Sequence, residues 1–526
     1  MPNRRGLPIG IHTFDQIRGR NMIYVDKTQM IKSLWDGGSV YFLSRPRRFG
    51  KSLLVDTIHQ LAVGRKELFE GLWIEEKWDW NAVYPVIRFD FGSGIVNSKK
   101  ELDSKIRLFL ERAAMEYGVE LQDDIPSSQF HRLLWQLEQK YKQKVVVLVD
   151  EYDKPILDNF TNLESTEVMR QGLRDLYSVM KAQQDSLRFV LLTGVSKFAK
   201  VSVFSGLNNL QDISLNRKYG NICGYTQVEL ERDFIDWLDD VDLKQVKKWY
   251  NGYNFLRDPV YNPFDVLLFL ENRIFKNYWF ETGTPDFLFQ LMREQNFSLP
   301  QLEALYSTND LMNKFGTNDI VIEGFFFQTG YLTIKEVQEK LNGSLEFKLG
   351  FPNLEVQLSL SELFLLKGSP TRFHHHLQQQ IVKGILDGKP EMFEAPIKQF
   401  FSSIPHQWYL KNEMGKYEGY WSSLIYSMLA MTGATLQAED TTNIGRVDLS
   451  LSYKQHSFVI EFKMTSNPDD PIEQIKANRY YEKFLQEGQR IWLVGMTFDK
   501  EQRNLVKYQC EEFLCGKPDF IEQKSK

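Results

Sequence analysis

The 526-residue chain has little cysteine: only Cys223, Cys510 and Cys515. An odd number in no metal-ligand spacing excludes a disulfide framework and a zinc ribbon, and fits free thiols in a reducing cytoplasm. An excess of positive charge is also missing. The 64 Lys and Arg against 69 Asp and Glu leave a net charge of −5, which excludes a globally basic nucleic-acid domain, so contact with a polyanion needs a local groove. No apolar run approaches the roughly 20 residues of a membrane span. The start, Met1-Pro2-Asn3-Arg4-Arg5-Gly6-Leu7-Pro8, lacks the apolar stretch of a signal peptide. A cytoplasmic protein with no membrane partner is expected. Low-complexity segments, an acidic tail and internal repeats are absent as well.

What is present supports sizeable cores: 42% of residues are hydrophobic and 14% aromatic. The length suggests roughly two to four domains. The most informative motif lies near the C-terminus. Gly445-Arg446-Val447-Asp448 opens one segment of strand character, Val447–Ser452, and Ser457–Lys463 forms a second. A two-residue hairpin at Lys454-Gln455 sets position 448 opposite position 461, and a longer loop makes the pairing diagonal. Glu461 and Lys463 are two apart and share a face, so Asp448, Glu461 and Lys463 can converge. Two carboxylates suit a hard cation such as Mg²⁺ or Mn²⁺, which polarises a phosphate and lowers the pKa of a bound water. A lysine beside them orients that water or balances charge on phosphate oxygens. The alternative is a solvated hairpin. Against it, both charges interrupt a strongly apolar run, and Gly445 permits a close chain approach.

The N-terminal half carries a second constellation. Ser39–Leu43 reads as a strand running into Ser44-Arg45-Pro46-Arg47-Arg48-Phe49-Gly50-Lys51-Ser52, then a helix from Leu53. Strand, Gly-Lys-Ser and helix is the context of a P-loop, whose amides and helix N-terminus attract phosphate. Lys51 is expected on the β/γ-phosphates of ATP and Ser52 on Mg²⁺. The first glycine of the strict motif is replaced by Arg45. Arg45, Arg47 and Arg48 are expected to add phosphate contacts, with Pro46 fixing the turn. Val145–Val149 is a strand buried on both faces. It ends in Asp150, expected on Mg²⁺, and Glu151, expected to position the attacking water. Arg188–Gly194 is a further strand, from which Thr193 or Ser196 can sense the γ-phosphate. Pro85–Phe91 is another.

Arg45–Ser52, Val149–Pro155, Thr193–Leu215 and Tyr24–Thr28 together resemble a prokaryotic AAA-ATPase-like family, in which the loop usually reads Arg-Pro-Arg-Arg-Phe-Gly-Lys-Ser. Gly-Arg-Val-Asp followed by Val-Ile-Glu-Phe-Lys resembles the PD-(D/E)XK nuclease superfamily, the C-terminal domain of that same family. The middle matches too, at Trp249–Phe255, Val260–Phe264, Glu281–Pro285 and Gln328–Thr333. The resemblance implies an α/β chain with a P-loop AAA-type core on a parallel sheet, a helical lid with a winged-helix-like middle region, and a restriction-endonuclease-like C-terminal domain. It adds Glu418, on a helix before the core strands, and Gln474, on the helix after Glu-x-Lys. Asn478 stands where some members carry a tyrosine, a role open to Tyr480 or Tyr481. AAA-type rings leave a homo-oligomer open.

The expected organisation is a core over 1–215, a helical lid and winged-helix-like region over 216–345, connecting helices over 346–400 and the nuclease-like domain over 401–526. Amphipathic helices are expected at Val228–Leu238 and Pro263–Phe275, and short strands at Gln328–Ile334 and Leu345–Leu349. His374–His376 points three ways around a helix and reads as a solvated face. Asp469-Asp470 before Pro471 reads as a helix start, and the Trp and Tyr clusters near 249–255 and 417–426 read as core. Arg446, Lys463, Lys476 and Arg479 are candidates for a nucleic-acid groove. Two functions follow: an ATP-regulated, metal-dependent nuclease on DNA or RNA, or a signalling or scaffold ATPase whose nuclease-like domain binds without cutting.

Overall fold

Val145–Asp150 forms β3 and is buried along its whole length. Val145, Val147 and Val149 join one apolar layer, while Val146 and Leu148 face the other side, as a strand covered on both faces requires. The computed structural model describes residues 4–159, 162–197, 209–280, 291–292, 295, 297–308, 322–369, 373, 375–405, 418–441, 445–467, 469–486 and 488–513. Two compact units divide the chain. One holds Met1–Trp279 and Ser307–Phe347, the other Phe280–Tyr306 and Lys348–Lys526.

The first unit is built on a five-stranded sheet of order β2-β3-β4-β1-β5, with every neighbouring pair parallel. Its strands are β1 (Val40–Ser44), β2 (Val86–Asp90), β3, β4 (Leu187–Gly194) and β5 (Gln211–Asp212). Helices Lys99–Tyr117, Pro126–Tyr141 and Leu163–Ala182 cover one face through Leu110, Phe130, Leu134 and Leu173. Helix Lys51–Ala62 packs on β3 and β4. Register brings Ser44 beside Gly194, Val149 beside Leu192 and Asp90 beside Asp150. The carboxyl ends of β1, β3 and β4 therefore share one edge, where ligands of open α/β sheets bind. A second cluster joins Leu7, Ile23 and Val25 to Phe234, Tyr250, Tyr261 and Phe269, so residues up to Trp279 belong with this core.

Two expected elements came out differently. Val228–Leu238 is not one helix: Gln227–Asp233 is helical, and a 3₁₀ turn follows at Ile235–Trp237. Gln328 is not in a strand but closes the helix Ile322–Thr329. Gly330 stops that helix in the left-handed region (φ 93°). The strands β7 (Thr333–Glu339) and β8 (Leu345–Gly350) follow, in a three-stranded sheet with β6 (Tyr306–Thr308).

The second unit carries a mixed five-stranded sheet of order β13-β12-β11-β10-β9. It comprises β9 (Thr435–Thr441), β10 (Arg446–Tyr453), β11 (His456–Met464), β12 (Arg490–Asp499) and β13 (Asn504–Phe513). Only β11 and β12 pair in parallel. The helix Pro471–Ala477 makes the crossover between them and packs on both. Asp470 starts it, accepting from the amides of Ile472 at 2.9 Å and Glu473 at 3.3 Å. The helix Glu418–Ala430 precedes β9, and Trp421 stacks on Phe498 at 5.5 Å. Along β11, Phe458 and Phe462 face Phe393 and Phe498, while Val459 joins the cluster of Ile472 and Ile475. Alternation thus puts Glu461 and Lys463 on the side of the crossover helix. The helices Leu354–Gly368, His375–Asp387 and Glu394–Ser403 belong to this unit, and His374 lies outside the described residues.

Candidate functional sites

The hairpin turns at Lys454-Gln455, with Lys454 in the left-handed region (φ 52°) and Tyr453 paired with His456. The ladder runs to Leu449 opposite Ile460, and there the strands part. Side chains take over the lost ladder bonds. The Asp448 amide donates to Glu461 Oε2 at 3.3 Å, and the Phe462 amide donates to Asp448 Oδ2 at 2.7 Å. Lys463 Nζ and Gln474 Nε2 both donate to Glu461 Oε1, at 3.2 and 2.5 Å. Glu461 is 2% exposed. Asp448, Glu461, Lys463 and Gln474 therefore meet as one group. Glu418 opens its helix, and its side chain lies outside the described residues.

Burial and the charge of Glu461 push the Asp448 carboxyl up to about 8. With both ionised, two carboxylates held this close carry more negative charge than Lys463 offsets. A hard divalent cation fits that donor set, because it takes a few oxygens and keeps waters for the rest. Among the described residues no group of three or more His, Cys, Asp or Glu is arranged to hold a metal, so a zinc cage does not fit. The aromatic candidates do other work. Tyr480 accepts from Asn478 at 3.0 Å and lies over Gly445, where a Cβ would meet its hydroxyl at 2.9 Å. Tyr481 stacks on Phe513. The cations expected to form a groove are each paired: Arg446 with Glu439, Lys463 with Glu461, Lys476 with Glu473 and Glu511, and Arg479 with Glu482.

In the first unit, Gly50 (φ 89°) turns the chain into the helix Lys51–Ala62. Without a Cβ it takes this left-handed conformation freely. Lys51 is 6% exposed, and its Nζ donates to the carbonyls of Arg45 and Pro46 at 2.9 Å each. Burial lowers its pKa, while Asp150, Glu151 and Asp153 pull it back up. Asp150 is 1% exposed and accepts from Thr193 Oγ1 at 2.6 Å and from the Glu151 amide at 3.1 Å. Glu151 has φ 50°, and burial raises its carboxyl. Ser196 donates to Asp153 through its amide and hydroxyl, at 2.7 and 2.8 Å, which gives it a fastening part beside Thr193.

Arg45 corrects the expectation of three phosphate-facing arginines. It is 0% exposed and sits 3.9 Å over the Phe255 ring. Its guanidinium donates to the carbonyls of Ser44, Ser214, Tyr219 and Gly220. The missing glycine is thus replaced by a pin that holds the loop from behind. Arg47 and Arg48 are exposed, and Arg48 lies 3.9 Å over Phe264.

Arg48 through Leu53 and Glu151 line a cavity of about 240 Å³. Pro46, Arg47, Asp150 and Thr193 lie off its wall. Its other walls were not foreseen: Gly10–His12, Tyr24–Val25, Cys223–Tyr225, Phe264 and Leu267. They make an apolar slot beside the loop. Lys27 also lines it, held by Glu229 at 2.6 and 2.7 Å. Signs visible in sequence were the family segments Tyr24–Thr28 and Val260–Phe264, the latter with Asn262-Pro263, which caps the helix bearing Phe264 and Leu267.

A parallel sheet with a Gly-Lys-Ser loop, joined in one chain to a mixed sheet with paired acids, defines a class: an ATPase-like core with a nuclease-like domain. Residues 8–204 match the family model of a predicted AAA-ATPase, and residues 416–508 match that of the PD-(D/E)XK nuclease superfamily. The chain is similar to an uncharacterized protein in the vnfD 5′ region of Azotobacter chroococcum mcd 1, at 41% identity over 517 residues, covering 97% of this chain and 99% of that one. It belongs to this family of AAA-ATPase-like proteins with a C-terminal PD-(D/E)XK nuclease-superfamily domain. No solved structure matches it. No helix among the described residues is long and apolar enough to cross a membrane.

Proposed function

We propose that the chain is a metal-dependent phosphodiesterase acting on DNA or RNA, governed by the nucleotide state of its ATPase core. The observation that carries this is the convergence of Asp448, Glu461, Lys463 and Gln474 where β10 and β11 part. Asp448 and Glu461 hold Mg²⁺ or Mn²⁺. Such an ion, when bound, polarises a phosphate and acidifies water. Lys463 balances charge on the phosphate oxygens or orients the attacking water. Gln474 fixes the Glu461 carboxylate from the crossover helix, and Glu418 is a further carboxylate of the set. In the core, Lys51 and the loop amides take the phosphates of ATP. Ser52 and Asp150 hold its Mg²⁺, and Glu151 positions water. Thr193 reads the γ-phosphate through Asp150. Cys223 and Cys510 are free thiols, which supports a reducing cytoplasm.

The test is cleavage of a panel of DNA and RNA substrates with Mg²⁺ or Mn²⁺, with and without ATP. Asp448→Ala should abolish it. Cleavage that survives this change, or none on any substrate, overturns the reading. A second reading has one observation behind it: Arg446, Lys476 and Arg479 are paired with acids rather than free to face a polyanion. On that reading the chain is a signalling or scaffold ATPase whose nuclease-like domain binds nucleic acid or protein without cutting, and the paired cations favour protein. Binding by wild type and Asp448→Ala alike, with no product, would favour it.

A further inference from the structure

The end of the helix Ile322–Thr329 and the turn after it touch both parts expected of a nucleotide site. Gln328 is 3% exposed, and its Oε1 accepts from the Lys197 amide at 2.6 Å. Lys197 follows β4, four residues beyond Thr193. Between them the chain is stitched to the site. Thr193 donates to Asp150, the Tyr152 amide donates to the Thr193 carbonyl at 3.0 Å, and Asp153 accepts from the Val195 and Ser196 amides. The same segment grips the loop. The Arg45 amide donates to the Gly194 carbonyl at 3.1 Å, and Ser44 Oγ donates to the Val195 carbonyl at 2.6 Å.

Gly330 reaches the loop directly. A Cβ there would lie 2.7 Å from Pro46 Cβ, and φ is 93°. Only glycine allows that approach in that conformation. Phe327 meets Phe255, the ring under the Arg45 guanidinium, at 6.2 Å. Thr333 Oγ1 then accepts from the Asn254 amide at 2.7 Å, and the chain continues through β7 and β8 into the second unit at Lys348.

We infer that Gln328 is a positioning residue of the nucleotide site, and that the Gln328–Tyr331 turn relays the nucleotide state along β7 and β8 to the nuclease-like unit. The inference rests on the ATPase reading above. A γ-phosphate that shifts Thr193 or the loop moves Lys197 and Pro46, and both press on this turn. Removing the Gln328 acceptor leaves a buried N–H without that partner, which costs a positioned group about tenfold. Because Gln328 lines no part of the cavity, the loss falls on turnover rather than on binding.

The experiment uses the full chain. Nucleotide binding is titrated first, ATP turnover is then resolved into kcat and KM, and hydrogen exchange of β7 and β8 is followed without nucleotide, with ADP and with a non-hydrolysable ATP analogue. Wild type should show nucleotide-dependent exchange in both strands. Gln328→Leu should keep KM within about twofold, lose about tenfold in kcat and lose the exchange response. Gln328→Glu retains an acceptor and should restore both. Gly330→Ala should uncouple the strands as well. Wild type that binds nucleotide with unchanged exchange in β7 and β8 overturns the relay, without recourse to any variant. Full kcat and a full response in Gln328→Leu overturn it too. Wild type that binds no nucleotide fails at the first titration, which marks the ATPase reading itself as wrong.

Discussion

Asp448→Asn should raise stability and abolish cleavage. In the metal-free fold, burial and Glu461 lift the Asp448 carboxyl from its ordinary value of 3.8 to about 8. At about 1.4 kcal/mol per unit, the full shift bounds the strain at about 6 kcal/mol. Glu461 shares it, and Phe462 still needs an acceptor, which an amide oxygen can supply. A gain of about 1–3 kcal/mol for the variant at pH 8 is therefore the expectation. The sign follows from proton binding. The folded state holds this proton more tightly than the unfolded chain, so the cost is absent below pH 4 and grows as pH rises towards 8. Urea unfolding in EDTA should show wild type weakening across that window and Asp448→Asn weakening less. Mg²⁺ or Mn²⁺ should reverse the order, since a ligand at 100 times its Kd adds about 2.7 kcal/mol to wild type alone. Equal stability in EDTA at pH 8, or equal stabilisation by metal, would refute the reasoning.

Four further outcomes follow from the same geometry. Lys51→Ala should weaken binding of a fluorescent ATP analogue by about 10- to 100-fold, as expected for a lost charged hydrogen-bond donor, and unchanged affinity would count against the P-loop. Arg45→Ala should destabilise the first unit by about 3 kcal/mol or more in urea, because four carbonyls lose their donors, whereas Arg47→Ala should fall within about 0.5 kcal/mol. Glu229→Ala strips the buried Lys27 of its partner and breaks the cap with Thr226, at about 3–5 kcal/mol by denaturant melting. Gln474→Ala should lower cleavage more than binding, and Gln474→Glu should be worse, because it sets a third acid against Glu461.

Local rules made part of this legible. The Lys454-Gln455 turn fixes which residues face each other, so Asp448 and Glu461 could be paired by counting. The period of two then put Lys463 beside Glu461. Asp470 as a helix start needed only capping chemistry, while Gln474 on the following helix came from the family resemblance and the structure sets it on Glu461. Arg45 could not be read this way. It stands in a loop of arginines, and only the carbonyls of Ser214, Tyr219 and Gly220, brought in from far along the chain, make it a buried pin. The cavity walls at Gly10–His12 and Cys223–Tyr225 have the same origin. So does the interleaving by which Phe280–Tyr306 joins the second unit while Ser307–Phe347 returns to the first.

The two candidate sites share one physical device. Each lies where regular strand pairing ends, at the carboxyl edge of β3 and at the opening between β10 and β11, and each fills that break with acids held by amides and hydroxyls. Backbone donors orient Asp150 and Asp448. Both acids are thus held in place before any ligand arrives, and ionising Asp448 beside Glu461 sets up charge that a cation would relieve. At Asp448 the fold loses stability in return for preorganisation. Neutralising Asp448 should accordingly split stability from function, whereas substitutions at Arg45, whose guanidinium holds four carbonyls, or at Glu229, which pairs with the buried Lys27, should lower the two together.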